Sequence, residues 1–185
     1  MNNLISNIFL ALILIFCQAL FFNNINFLGS INPLIYIYFI AYFPLKNNRT
    51  LFIFCAFIYG FIIDIFSDTH AIHAAATLTI AFFRPYLLKL FFGMAYEHQV
   101  VKFKSIELKQ NLFYLISIIL IHHFILFSLE IFDISKISLI FKNTFEVLIS
   151  TFIGIYILYE LLIHRAKWES FFYFWLLSQR RWYSF

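Results

Sequence analysis

No Asp, Glu, Lys, Arg or His occurs in the first 45 residues of this chain, and beyond them long apolar runs alternate with short charged joints. A run of about 20 apolar residues crosses a bilayer as one helix, and a chain built of such runs has few other ways to satisfy its backbone. Of the 185 residues, 63% are hydrophobic and 12% charged, against roughly 45–50% and 25% in a soluble domain. The expected class is an all-α integral membrane protein.

Six segments qualify or nearly qualify as spans: Leu4 to Phe22, Pro33 to Leu45, Thr50 to Phe66, His70 to Phe92, Leu112 to Ile131 and Thr144 to Ile163. The first lacks the basic start and small-x-small site of a cleaved signal and reads as an uncleaved span. The second is weak. A helix that starts at Pro33, with Asn32 as its N-cap, meets Lys46 after about four turns, so it is short, tilted or re-entrant. With the N-terminus inside, Lys46, Arg49, Lys102, Lys104, Lys109, Arg165, Lys167, Arg180 and Arg181 fall on the cytoplasmic side, and Lys136 and Lys142 outside. That nine-to-two split predicts about six transmembrane helices with both termini cytoplasmic. Residues 1–163 then form a six-helix transmembrane domain. Residues 164–185 form a basic aromatic tail whose Trp168, Phe171, Phe172, Trp175 and Leu176 share one helical side and lie against membrane lipids at the anionic inner leaflet.

The polar groups inside the spans demand an explanation. An ionisable side chain at bilayer depth costs roughly 2.5–3.5 kcal/mol on insertion scales, so such groups face one another or a wet cavity. In the third span Ala56, Gly60 and Asp64 recur every four residues with Ser67 on the same side, a spacing that lets a neighbouring helix come close. In the fourth, His73, Thr77 and Arg84 line up. The fifth carries His122 and His123, with Glu130 on the face of His123, and the sixth carries Glu146, Ser150, Glu160 and His164. Residues 60–85, GFIIDIFSDTHAIHAAATLTIAFFRP, read as a helical hairpin: Asp64 closes one helix, Ser67-Asp68-Thr69 turns the chain, and Asp68 or Thr69 caps the next helix. Arg84 and Asp64 belong to opposite ends of their spans, which argues against a direct pair.

Catalysis finds little footing here. Four Gly in the whole chain make no phosphate loop, no Gly-x-Ser motif exists, and Cys17 and Cys55 sit in apolar runs as small thiols. Asp64, Asp68, His70 and His73 could in principle ligate zinc, but no recognised signature surrounds them. No cofactor, no metal and no nucleic-acid partner is expected, and the polar cluster is expected to hold helices together.

GFIIDIFSDTHAIHAAATLTIAFFRPYL, Gly60 to Leu87, resembles the signature hairpin of the rod shape-determining membrane protein family MreD. NNINFLGSINPLIYIYFI before the second span and LIHHFILFSLEIF in the fifth resemble the same family, and the likeness covers most of residues 20 to 132. Gly60, Asp64, Ser67, Asp68, His73 and Ala74 to Ala76 are its most specific part; Ala71-Ile72-His73 and Arg84-Pro85 stand where the family continues with glycines. The resemblance implies a non-enzymatic scaffold of the cell-elongation machinery in a bacterial inner membrane. Its implied partners are MreC and, through it, the elongation transpeptidase, RodA and MreB. It also implies a fold similar to the substrate-binding component of energy-coupling-factor transporters. A rival expectation follows from that fold: a small-molecule binder with His73, His122, His123 and Arg84 in an internal pocket. For the scaffold, Gly60, Asp64, Ser67, Asp68, His73, Arg84, His122, His123 and Glu130 are the expected structural or partner-contact residues.

Overall fold

The computed structural model describes residues 4–23, 32–43, 48–93 and 106–180, with side chains for 6–23, 32–43, 48–93 and 106–162. Helix α1 (Leu4–Cys17) runs into one π-helical turn, Gln18–Phe22. It is followed by α2 (Ile37–Tyr42), α3 (Arg49–Ser67), α4 (Ile72–Phe92), α5 (Leu108–Ile131), a 3-10 turn (Ile134–Lys136) and α6 (Ile137–Arg180). Among the described residues, four stretches are long and apolar enough to cross a membrane: α3, α4, α5 and Ile134–Leu162; Ser6–Phe22 is a shorter apolar helix. The outward faces carry Phe9 and Phe16 on α1, Phe54 and Ile65 on α3, Leu90 on α4 and Ile149 on α6. Such a surface suits hydrocarbon, and the chain is an all-helical, membrane-embedded protein.

Helices α1, α3, α4, α5 and α6 pack in that order, each against the next, and α2 touches α1, α4, α5 and α6. The second segment is therefore the interior of the bundle. Tyr36, Ile37, Ile40 and Ala41 have no exposed surface at all. Here the sequence expectation needs correction. A four-turn helix from Pro33 with an Asn32 cap is not what forms. Residues 32–34 are irregular, and the helix has six residues, about 9 Å of rise. Hydropathy counts apolar residues alike whether they face lipid or protein, so a buried plug scores as a short span.

The close approach of α3 and α4 follows from Gly60. A Cβ there would meet the Ala74 Cα and the His73 carbonyl oxygen at 2.7 Å, and Thr77 Oγ1 nearer still. Thr77 uses the approach: its hydroxyl lies 2.9 Å from the Ala56 carbonyl of α3. At the other end of the pair, Arg49 donates to the Phe82 carbonyl at 3.1 Å and stands over the Phe82 and Tyr86 rings.

The last two helices also differ from expectation. α5 begins at Leu108 and α6 at Ile137, so the connection thought to hold Lys136 and Lys142 shrinks to a tight turn. Phe132 takes a left-handed conformation, and the Asp133 carboxylate accepts from the Ser135 hydroxyl and N–H at 2.7 and 3.0 Å. Those bonds, with Lys136 close by, hold the Asp133 carboxyl below its usual range. Lys142 lies on α6, 3.8 Å from Glu146. Helix α6 runs 44 residues, about 66 Å, so its backbone passes without a break from the span into the basic aromatic segment. The side chains of that segment, the 24–31 stretch and Lys46, Lys102 and Lys104 lie outside the description.

Candidate functional site

Three levels of polar groups run through the bundle, and most of them touch the α2 segment. At the hairpin end, α3 stops where Asp68 adopts a left-handed conformation with φ 53°. The next helix begins after Ala71, also left-handed, which has no capping side chain. The cap comes from across the hairpin. Asp64, on the last turn of α3, accepts from the His73 N–H at 2.9 Å, the Ala74 N–H at 2.8 Å and the Thr69 hydroxyl. A carboxylate at a helix N-terminus meets both the free amides and the positive end of the helix dipole. That geometry makes a buried acid tolerable without a cation. Asp68 and Thr69 were the expected caps; Asp68 instead ends α3 at the surface, and Thr69 serves Asp64. Ser67 ties the hairpin to α1, its hydroxyl accepting from Asn23 Nδ2 at 2.9 Å.

The middle level is built around Tyr36. Its hydroxyl stands 2.7 Å from His73 Nδ1 on α4 and 2.8 Å from His122 Nε2 on α5. Its carbonyl accepts from Tyr59 of α3 at 3.3 Å. Beside it, the unwound stretch before α2 is served by side chains. The Ile35 N–H donates to Gln18 Oε1 at 2.9 Å, and Gln18 Nε2 reaches the Pro33 carbonyl at 3.3 Å. The Leu34 N–H donates to Thr151 of α6 at 3.0 Å. Thr151 lies 3.2 Å from His123 Nε2, and His123 Nδ1 lies 2.8 Å from its own helix's Ile119 carbonyl.

At the opposite end, the carbonyls that close α2 find donors on α4 and α5. Tyr114 donates to the Ala41 carbonyl at 2.8 Å. Arg84 donates to the Phe43 carbonyl at 2.6 Å and to the Tyr114 oxygen at 3.2 Å, with its guanidinium over the Phe52 ring. Tyr42 donates to Asn111 at 3.2 Å. Arg84 is almost wholly buried, and among the described residues no carboxylate lies within ion-pair distance of it. The negative end of α2 and an aromatic face stand in for one.

Non-helical backbone at membrane depth persists only where protein groups satisfy it. The interior polar side chains do that for α2, and a single physical requirement accounts for Gln18, Tyr59, Thr151, Tyr114 and Arg84 together. Of the residues expected from the sequence, Gly60, Asp64, His73, Arg84, His122 and His123 face the interior, Ser67 and Asp68 form the hairpin tip, and Glu130 lies apart from the interior group. It is exposed in the last turn of α5. The expected α6 stripe is also displaced: Glu146 is exposed, and among the described residues Ile140, Thr144, Val147, Thr151, Ile155 and Tyr159 are the buried positions. Tyr36, Gln18 and Thr151 went unforeseen. The legible signal was Gln18, the amide deepest along a first span whose other amide, Asn7, lies near its start. Among the described residues no group of three or more His, Cys, Asp or Glu is placed to hold a metal ion.

No family model, curated protein or solved structure matches this chain.

Proposed function

We propose that the protein is a non-enzymatic membrane scaffold of the kind the MreD family provides. In that role it receives the single membrane helix of MreC in the bacterial inner membrane, and through it serves the elongation transpeptidase, RodA and MreB. The observation that carries this reading is the use made of the interior: Asp64, Gln18, Thr151, Tyr114 and Arg84 are bound to backbone groups of α4 and of residues 34–43, the segment that contains α2. Side chains engaged in that way build a rigid frame, and the apolar outer faces are left for lipid and a partner helix. In this reading the segment that contains α2 is the short second of six crossings, and both termini are cytoplasmic.

A second reading draws support from the broken α2 itself. Interrupted helices near the membrane centre line substrate sites in transporters, and the buried Asn32 Oδ1, Arg84 Nη1 and His122 Nδ1 have no hydrogen-bond partner among the described residues. A small-molecule-binding component of an energy-coupling-factor-type transporter would use them. Purification of the tagged protein from its own membranes in mild detergent, with mass spectrometry of what accompanies it, separates the two. The scaffold predicts MreC and the wall-synthesis enzymes. An ABC-type ATPase pair or a retained metabolite would replace it with the transporter reading.

A further inference from the structure

Three buried histidines, His73, His122 and His123, differ in how firmly their protons are placed. The Ile119 carbonyl only accepts, so His123 Nδ1 carries a hydrogen. Nε2 then accepts from Thr151, whose oxygen accepts from the Leu34 N–H, and the chain is closed. Around Tyr36 the count leaves a choice. One hydroxyl hydrogen faces two ring nitrogens, His73 Nδ1 and His122 Nε2, at 2.7 and 2.8 Å. Tyr36 donates to one ring and accepts from the other, and both directions keep the same two bonds. They differ at the far nitrogens, of which His122 Nδ1 is buried without a partner.

We propose that His73, Tyr36 and His122 form a proton-binding site with a capacity of one. Take the direction in which His122 Nε2–H donates to Tyr36 and Tyr36 O–H donates to His73 Nδ1. A proton added at His122 Nδ1 breaks no bond. It can then move: His122 Nε2 gives its hydrogen to the Tyr36 oxygen while that oxygen gives its own hydrogen to His73 Nδ1. One N–H and one O–H bond break, one of each forms, and the positive charge passes from His122 to His73. Both hydrogen bonds survive with their direction reversed. A second proton has no place, because both facing nitrogens would then be donors and the hydroxyl hydrogen would have no acceptor. The bridge between α2, α4 and α5 would open.

The surroundings favour the charge on the His73 side. From α3, the Asp64 carboxylate accepts the His73 backbone N–H at 2.9 Å, and Tyr59 donates to the Tyr36 carbonyl. From α5, His123 lies beside His122, ring centres 5.5 Å apart. Among the described residues, α1 and α6 contribute only the neutral Gln18 and Thr151 to this level.

The site is tested by nitrogen NMR of the histidine-labelled full-length protein in lipid nanodiscs as pH is lowered, with His73→Gln and His122→Gln used to assign the signals. The expected result is one step shared by His73 and His122, with a common midpoint and one proton between them. Tyr36→Phe should split that step into two separate midpoints. Should Tyr36→Phe fail to fold, His73→Gln serves in its place, and the His122 midpoint should move away from the shared one. Independent midpoints in the wild type, uptake of two protons by the folded protein, no uptake before unfolding, or a His122 midpoint unmoved by His73→Gln would each overturn the proposal.

Discussion

The α3–α4 hairpin and the α2 segment face the same problem, polar groups at membrane depth, and solve it over different distances in sequence. In the hairpin, Asp64 reaches amides nine and ten residues away. In the α2 segment, Leu34 is satisfied by a threonine 117 residues away, and Ala41 by a tyrosine 73 residues away. The hairpin is a local device that two adjacent helices complete between themselves. The α2 segment is completed only when α1, α3, α4, α5 and α6 have all arrived. The hairpin can be completed by local contacts, and the plug it flanks depends on the whole bundle.

Asp64→Ala should break the local device most severely. It leaves the His73 and Ala74 amides buried and unpaired, an expected loss on the order of 3–5 kcal/mol measured by reversible unfolding in mixed micelles. Asp64→Asn, which keeps one acceptor oxygen, should lose clearly less; equal losses would mean that the carboxylate's bonds are not what matters. Gly60→Ala forces a methyl group against the Ala74 and His73 backbone, and should cost about 1–3 kcal/mol in the same assay.

These two positions were legible for a reason. Gly60 and Asp64 are a turn apart on one helix, and their partner follows in the chain, so spacing alone places them together. The cap was misassigned to Asp68 or Thr69 because local capping rules consider residues beside the helix start, and Asp64 acts from across the turn. The α2 segment was not legible, since its partners come from five elements whose arrangement no periodicity encodes. Tyr36 and Thr151 look like ordinary span residues. Glu130 and Glu146 were drawn inward by a count of faces, yet both lie within a few turns of a helix end, where a long acidic side chain can reach outward.

Against the long-range device the expected effects are smaller. Thr151→Val removes the acceptor for Leu34 and the donor for His123, and should cost about 1–3 kcal/mol. Thr151→Ser, which keeps the hydroxyl, should recover most of it. A Val variant as stable as wild type would mean that water or another group serves Leu34. The comparison has a baseline in the exposed Lys142–Glu146 pair: Glu146→Gln should change stability by no more than about 0.5 kcal/mol.

The claim that the interior side chains exist to hold α2 is tested most directly by hydrogen exchange, read by mass spectrometry on peptides covering residues 32–43 and 70–80 in nanodiscs. Gln18→Leu and Thr151→Val should each speed exchange in the first peptide, on the order of tenfold for a loss of about 1.4 kcal/mol, and leave the second unchanged. Asp64→Asn should speed the second. Exchange at residues 32–43 that is unmoved by Gln18→Leu and Thr151→Val together would contradict the account.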